Sequence, residues 1–325
     1  MFKKQMNQVL SAYKKRAREM AGGCEKVFVA GSGGVDSSLV AAILTSEFDP
    51  DNVVVLFRNL QSDPKHLKDI TDLQKALGFH LIYIDMESGY KDGIRQCAEQ
   101  FEESGLLWFT EEECLSGGLP EINAYASLRS RFITPWAGFI SKMIDGGGGR
   151  IYGTGNAEED GLLRYFDKFG DGAVDNNILD GLTKCEVRQF LLYFAKLYPG
   201  HDVFRRIAEK TPSADLQGNG DRHNDEDELT SWAHKRGYDR LFLSYGDTKQ
   251  EGNIAWALKK DMEFGVITGK RRDWSKDRLK KEFRFSEEEL QLILFIREEE
   301  LKTRHKVLRP PGFCREILRK INLVD

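Results

Sequence analysis

The chain has 325 residues, of which 40% are apolar and 31% charged, enough for one large α/β domain or two unequal ones. Its formal net charge is -4, which excludes the overall basic field on which nucleic-acid binders rely. Nucleic acid is therefore not an expected partner. The five cysteines are scattered, without a CxxC pair, so the sequence indicates neither a zinc site nor a disulfide framework and fits a reducing, cytoplasmic setting.

The first 20 residues predict a charged amphipathic helix. Lysine and arginine recur between Lys3 and Arg18, and the stretch lacks the long apolar run that a signal peptide or a membrane span requires. We therefore expect a soluble protein with no membrane partner. In this interpretation residues 1–22 form an N-terminal helix ahead of an α/β core over residues 23–200.

From Lys26 onward, short β-rich runs alternate with helical patterns. Alternation of this kind predicts a doubly wound, Rossmann-like parallel sheet flanked by helices, here with four or five strands. Ligands then bind at the carboxyl ends of the strands. Strands are predicted at 26–30, 53–57, 81–84 and 150–154, and helices at 37–46, 65–77, 91–103 and 122–144.

Beyond Pro199 the pattern is less regular. Residues 211–225 are polar and contain glycine, which leaves open whether they form a lid. Residues 201–325 are expected to form a loop and helical region that completes the same domain. Helices are predicted there at 226–235, 253–260 and 286–300.

A glycine-rich string, GSGGVDSS, covers residues 31–38 between the first predicted strand and its helix. Backbone N–H groups and the positive end of the helix dipole can hold an anion at such a corner. No lysine follows the glycines, so this is not the Walker A loop of enzymes that transfer a γ-phosphate. The alternative interpretation is an ordinary glycine turn capped by Asp36 or Ser37.

The string resembles the SGGxDS loop of the N-type ATP pyrophosphatases, which cleave ATP between the α and β phosphates. The resemblance implies that Ser32, Ser37 and the amides of Gly33 and Gly34 hold the released pyrophosphate, and that Asp36 helps to hold magnesium. It does not name the second substrate, because several kinds of enzyme share this loop. The residues implied in ATP binding by this string are Gly31, Ser32, Gly33, Gly34, Val35, Asp36, Ser37 and Ser38.

Four further strings follow in a fixed order. They are GTGNAEE at 153–159, YFDKFGDG at 165–172, Thr183-Lys184, and PSADL at 212–216. A fifth string, HKVLRP at 305–310, follows near the end of the sequence. Together with the loop, they resemble the ammonia-dependent NAD synthetases in both order and spacing. This chain is therefore identified as a divergent member of that family.

The resemblance implies further roles at the nucleotide site. Glu159 would be the second magnesium carboxylate opposite Asp36, while Thr154, Lys184 and Ser213 would contact the ATP phosphates. Arg58 resembles an arginine that contacts adenosine in the family. Alternatives remain for two of these residues: Glu159 could belong to an acidic helix start, and Lys184 could be a solvated residue after the helix N-cap Thr183.

The resemblance also implies a deamido-NAD site at the interface of a homodimer. A charged surface loop is the alternative for Lys168, Asp171 and Asp175. The residues implied in binding deamido-NAD are Arg129, Phe166, Lys168, Asp171, Asp175, His305 and Lys306.

Three positions depart from the family pattern near this second substrate. Ser127 stands where members usually carry the first arginine of an N-x-x-A-R-x-R string, unless Arg129 and Arg131 mark a two-residue slip. Arg164 and Asp167 replace a glycine and a threonine. A shifted substrate therefore stays open.

The resemblance implies ATP-dependent amidation of deamido-NAD to NAD through an adenylated carboxylate, with ATP as co-substrate and magnesium as the metal. Ammonia would enter free or from a separate partner. The runner-up is another adenylating enzyme with the same loop, such as a tRNA-modifying enzyme or a small-carboxylate amide ligase. The third interpretation is a regulatory module that binds ATP without turnover.

Overall fold

A five-stranded parallel sheet forms the centre of the protein. The order β3-β2-β1-β4-β5 confirms the doubly wound α/β prediction and its strand number. The strands are β1 (Val27–Ala30), β2 (Val53–Asn59), β3 (His80–Asp85), β4 (Arg150–Gly153) and β5 (Asn176–Asn177). The computed structural model describes residues 2, 4–144, 148–170, 172–211, 224–245 and 253–307.

The sheet reverses its winding direction between β1 and β4. The chain passes from β1 outward to β2 and β3, then returns to place β4 on the other side of β1. Val29 pairs with Tyr152, so the loops that follow β1 and β4 begin side by side. A crevice at such a switch point is where open α/β sheets bind ligands.

Thirteen α-helices occur among the described residues, and none of the described helices combines the length and apolar character needed to cross a membrane. They are α1 (Met6–Ala21), α2 (Val35–Glu47), α3 (Pro64–Leu77), α4 (Glu87–Glu103), α5 (Glu111–Gly117), α6 (Ile122–Arg131), α7 (Thr134–Met143), α8 (Lys184–Leu197), α9 (Val203–Ala208), α10 (Asp225–His234), α11 (Ile254–Phe264), α12 (Lys276–Phe283) and α13 (Glu287–Thr303).

The single long helix predicted at 122–144 is wrong. The chain forms two helices, α6 and α7, with Phe132 and Ile133 between them. Pro135 lies at the start of α7, and its nitrogen carries no hydrogen to donate to the carbonyl four residues earlier. The apolar periodicity continues across this break, which is why the sequence pattern alone does not show it.

Helix α2 is the central helix of the main hydrophobic core. Nine of its thirteen residues are buried, and it packs against β1, α1 and α8. Ala17 and Ala21 of α1 belong to the same apolar cluster, and the Tyr152 hydroxyl donates to the Ala17 carbonyl at 2.6 Å. The domain boundaries at residues 22 and 200 stay a prediction.

A second apolar cluster forms around a π-helical segment at Ala157–Leu163. Leu162 and Leu163 are buried there with residues of α10, α11, α12 and α13, helices that follow the segment by more than sixty residues. Arg164 ends the segment at φ 52, in the left-handed region that favours glycine. The C-terminal helices therefore hold the segment that follows β4.

We predict that Leu39→Ala lowers the free energy of unfolding by about 2–5 kcal/mol, because it leaves a cavity under α2. Leu39 is fully buried. Urea denaturation followed by circular dichroism measures the loss. Leu107→Ala is the control, since Leu107 is 82% exposed, and its change should stay within about 0.5 kcal/mol. Equal losses in the two variants would contradict the packing described for α2.

Candidate active site

The loop after β1 has a shape that its glycines make possible. Gly33 adopts φ +73, and a Cβ there would lie 2.7 Å from the His66 carbonyl oxygen. A Cβ on Gly31 would lie 2.4 Å from Val55 Cγ1. Only glycine avoids both the close backbone contact and the left-handed strain at Gly33. The loop is therefore fixed against α3, with His66 Nδ1 also 2.9 Å from the Ser32 carbonyl oxygen.

The serine hydroxyls of this loop lie at the N-terminus of α2. Ser32 Oγ and Ser37 Oγ are 3.1 Å apart, and the Ser32 N–H donates to Ser37 Oγ at 3.2 Å. Helix α2 begins at Val35, and the first N–H groups of a helix have no partner within it. Hydroxyls and helix N–H groups therefore lie together at the corner where the sequence predicts anion binding. Ser38 is fully buried and lies on α2 behind the loop.

Lys184 brings the two predicted metal carboxylates together. Its Nζ lies 2.7 Å from Asp36 Oδ2 and 2.7 Å from Glu159 Oε1. Asp36 is on α2, Glu159 on the π-helical segment, and Lys184 at the first turn of α8. The side chain of Lys184 is 4% exposed. The structure therefore excludes the interpretation of Lys184 as a solvated helix residue.

Asn156 makes a second bridge between the same carboxylates. Its Nδ2 donates to Glu159 Oε2 at 2.7 Å and to Asp36 Oδ1 at 3.2 Å, while its Oδ1 accepts the N–H groups of Glu158 and Glu159. Asn156 is fully buried. One amide thus caps the π-helical segment and orients both acids.

Burial and charge oppose each other in this cluster. Burial lowers the pKa of Lys184, but attraction to Asp36 and Glu159 outweighs it, so the pKa lies above its ordinary value. Burial raises the pKa of Glu159, and Lys184 opposes this rise. Two buried carboxylates share one ammonium, so the cluster has room for further positive charge.

Glu158 fixes the start of α8. Its carboxylate is fully buried, and one oxygen accepts the backbone N–H of Lys184. Burial raises the pKa of Glu158 to about 8. The three acids do lie in the first turn of the π-helical segment, as the acidic helix start considered for this stretch expects, and Glu158 in addition accepts the first N–H of α8 behind its N-cap Thr183. Asp160, the third acid, accepts from Asn177 Nδ2 at 3.0 Å.

The residues fit a magnesium ion that is completed by a substrate. Asp36 and Glu159 are the two carboxylates that share the Lys184 ammonium. Across the described ranges, no group of three or more His, Cys, Asp or Glu is arranged to hold a metal by itself. Magnesium commonly takes one or two carboxylates and completes its shell with phosphate and water.

A cleft of about 830 Å³ joins this cluster to the predicted second-substrate residues. Thr154, directly after β4, lines the cleft. Arg58 on β2 and Arg129 on α6 line it as well. Arg129 is 1% exposed and pairs with both oxygens of Glu111, and Gln61 Oε1 accepts from it at 2.9 Å. Arg58 donates to the Arg129 carbonyl. Both arginines therefore brace α6 as well as facing the cleft.

Four of the residues predicted to bind deamido-NAD come together from two segments that are 137 to 140 positions apart. Lys306 Nζ donates to the Phe166 carbonyl at 2.6 Å and lies 5.3 Å from the centre of its ring. Lys168 Nζ donates to the His305 carbonyl at 2.8 Å. Residues 305 and 306, which follow α13, thus contact residues 166 and 168, which follow the π-helical segment.

One other predicted residue, Asp175, does not join this group. Asp175 accepts the Ile151 N–H at 2.9 Å and extends the pairing between β4 and β5, and it is not among the residues that line the cleft. Asp171 and Ser213 lie outside the described residues, as does most of the 211–225 stretch considered as a lid.

The three departures from the family pattern have partners of their own. Ser127 donates to Asp167, and Arg131 Nε lies 2.6 Å from the same carboxylate. Arg164 pairs with Glu300 at 3.0 Å and donates to its carbonyl at 2.9 Å. Ser127 and Asp167 therefore contact each other, and Glu300 balances the charge of Arg164 at the left-handed position.

A serine- and glycine-lined corner beside two carboxylates and a lysine, at the switch point of a parallel sheet, defines a nucleotide-binding protein of the ATP-pyrophosphatase class. The match to a family model is more specific. The chain belongs to the NAD synthase family, whose model matches residues 10–253. The family predicted from the sequence, and with it the ligase class, is confirmed.

Curated relatives named NH(3)-dependent NAD(+) synthetase have low identity to this chain. The Methanococcoides burtonii protein is 28% identical over 210 residues, which cover 64% of this chain and 67% of that protein. The Vibrio parahaemolyticus protein is 29% identical over 230 residues, covering 67% and 75%. The chain spans about two thirds of the length of the relatives it matches, from 58% to 67% for the first three. Low identity agrees with a divergent member.

Two solved structures share the fold. The NH3-dependent NAD synthetase of Campylobacter jejuni has a TM-score of 0.61 at 17% identity, with 96% of this chain and 100% of that chain covered. An NMN synthetase from Francisella tularensis has a TM-score of 0.61 at 18% identity, covering 95% and 97%. At this identity the two comparisons support the architecture alone.

Several residues that build the site are not among those predicted from the sequence. Asn156 stands inside the string GTGN, which marks the family. An asparagine before an acidic pair is also an N-cap signal, and this signal could have identified it. For Glu158 the sequence predicts only a place in an acidic helix start. Neither Glu111 nor His66 carries any signal in the sequence, since each acts on a partner more than fifteen residues away.

We predict that Asn156→Asp lowers the free energy of unfolding by about 2–4 kcal/mol, because it adds a third acid to a buried pair while keeping the capping oxygen. Thermal or urea unfolding measures the loss. The matched control is Asn123→Asp, where the amide is exposed and donates only to the Pro120 carbonyl. A wild-type unfolding curve for Asn156→Asp would show that this amide does not hold the carboxylates.

Proposed function

We propose that the chain amidates deamido-NAD to NAD with ATP and ammonia as co-substrates. The nicotinate carboxylate attacks the α-phosphate of ATP and displaces pyrophosphate. Ammonia then attacks the acyl adenylate and displaces AMP. Adenylation is needed because a carboxylate repels nucleophiles and has no competent leaving group. Family membership and the curated relatives' names support this reaction.

The convergence of Asp36, Glu159 and Lys184 beside the phosphate loop carries the proposal. A leaving pyrophosphate gathers negative charge, and preorganised cations and N–H donors stabilise that charge without reorganisation. The Lys184 ammonium, the serine hydroxyls and the first N–H groups of α2 are such donors. Positioning and electrostatics therefore suffice, and no covalent nucleophile is required.

We further propose that Asp36 and Glu159 hold magnesium on the ATP phosphates. Bound there, the ion would supply charge neutralisation between the phosphates and the two acids. The protein's own residues keep the geometry: Asn156 orients both carboxylates, and Glu158 fixes the backbone of Lys184. We place the reaction in the cytoplasm, where the four free thiols of the described residues would stay reduced.

The second substrate is the less determined part of the proposal. Phe166, His305 and Lys306 line the cleft, and Lys168 donates to the His305 carbonyl beside them. Their grouping supports deamido-NAD as the second substrate. Ser127, which donates to Asp167, stands where members usually carry an arginine. Since the Francisella neighbour is named an NMN synthetase, nicotinate mononucleotide is the second candidate substrate.

The direct test mixes protein, ATP, magnesium and ammonium with deamido-NAD or nicotinate mononucleotide and measures amide and AMP. We expect equal amounts of NAD and AMP. Amide from the mononucleotide alone would favour the second candidate. AMP without amide would indicate another adenylating enzyme, and ATP binding without AMP would indicate a regulatory module.

We predict that Asp36→Asn and Glu159→Gln each lower the turnover number by roughly 10²–10³-fold, because each removes charge that balances the phosphates and metal. Steady-state assays at saturating ATP measure the loss. Circular dichroism should show a wild-type spectrum.

Glu112→Gln is the control for these variants, because Glu112 is exposed on α5 and away from the carboxylate pair. Its turnover should match the wild type. Near-normal turnover in either Asp36→Asn or Glu159→Gln would remove the metal assignment.

We also propose a homodimer that uses the exposed face of α7. Trp136, Phe139 and Met143 are 41%, 55% and 67% exposed and recur at helical spacing. Thr134, at the start of the same helix, donates to the Phe169 and Gly170 carbonyls at 3.0 Å. The apolar face is therefore continuous with the segment proposed to bind deamido-NAD, and a second copy would cover both.

We predict that Phe139→Glu halves the mass measured by light scattering after size-exclusion chromatography, because a carboxylate at the centre of an apolar interface is not hydrated. Met262→Glu is the control, since Met262 is equally apolar and 82% exposed on α11. A monomeric wild type, or a dimeric Phe139→Glu variant, would contradict this interface.

A further inference from the structure

Lys210 reaches the phosphate loop from outside the motifs. It lies two residues beyond the end of α9, and its Nζ donates to the Gly33 carbonyl at 3.1 Å. The same ammonium pairs with Asp69 on α3. Lys210 also lines the cleft. The loop is thus contacted from α3 through His66 and from the end of α9 through Lys210.

The ionic cluster around Lys210 carries surplus positive charge. Asp69 is buried and pairs with both Lys210 and Arg206. Arg206 also pairs with Asp72, and Asp72 pairs in addition with two exposed lysines, Lys68 and Lys75. Four cations therefore face two carboxylates. Lys210 shares Asp69 with Arg206, so the cluster keeps a net positive charge beside the phosphate loop that can act on an anion in the cleft.

The catalytic cluster has the opposite imbalance. Asp36 and Glu159 carry two negative charges against the one ammonium of Lys184. The β and γ phosphates of ATP would add more negative charge beside it. Magnesium is proposed between the phosphates and the two acids, and a cation on the side of the phosphate loop would add to that neutralisation.

We propose that Lys210 is a phosphate-binding residue that exchanges the Gly33 carbonyl for an oxygen of the β–γ pyrophosphate group when ATP binds. This role rests on the proposed ATP-cleaving function. The flexible stem of lysine permits a short move of the ammonium, which binds phosphate as a point charge. Asp69, held in turn by Arg206, is the positioning residue that keeps Lys210 at the loop.

The test measures binding of inorganic pyrophosphate with magnesium, and separately of AMP, by isothermal titration calorimetry. We expect Lys210→Met to weaken pyrophosphate binding roughly 10- to 100-fold, the range for one lost charge-assisted hydrogen bond. AMP binding should not change. Lys210→Arg should restore most of the pyrophosphate affinity.

The matched control is Lys75→Met, which removes a charge from the same ionic cluster at an exposed site and should leave pyrophosphate affinity at the wild-type value. Wild-type pyrophosphate affinity in Lys210→Met would overturn the inference. So would equal losses for AMP and pyrophosphate with no rescue by arginine, since that result describes a general collapse of the loop. A wild type that binds pyrophosphate but forms no NAD would instead overturn the proposed function and leave Lys210 in place.

Discussion

The ammonium of Lys184 between Asp36 and Glu159 is the interaction on which the site depends. Each of the three side chains comes from a different element, and each is largely removed from water. Two acids cannot stay charged in such surroundings without a cation and hydrogen-bond donors. The lysine, together with the Asn156 amide, meets that requirement, so α2, the π-helical segment and α8 are fixed relative to one another.

The rest of the structure holds those three elements in place. Helix α2 is anchored by the apolar core under the sheet, whereas the π-helical segment is anchored by Leu162 and Leu163 in the second apolar cluster. The C-terminal helices thus act on the site from a distance along the chain. The same arrangement brings Lys306 to Phe166, so one region supports both the carboxylate of Glu159 and the cleft proposed for the second substrate.

Divergence from the family pattern is concentrated at that second substrate. Ser127 and Asp167 contact each other, and Arg164 is matched by Glu300. The residues at these positions therefore have hydrogen-bond or ionic partners within this structure. By contrast, the phosphate loop and the acid–lysine cluster keep their motif residues, because phosphate geometry leaves less freedom there than a variable organic group does.

The sequence by itself determined the sheet and its winding, because these follow from hydrophobic periodicity. It also gave the family, through motif strings that resemble those of the NAD synthetases. It did not determine the break between α6 and α7, where an apolar face continues across Pro135. Nor did it show that Glu158 caps α8, that Asp175 extends a strand pair, or that Lys210 lies on the loop. Those facts depend on contacts between residues 24 to 177 positions apart, and only the folded chain decides which distant side chains meet.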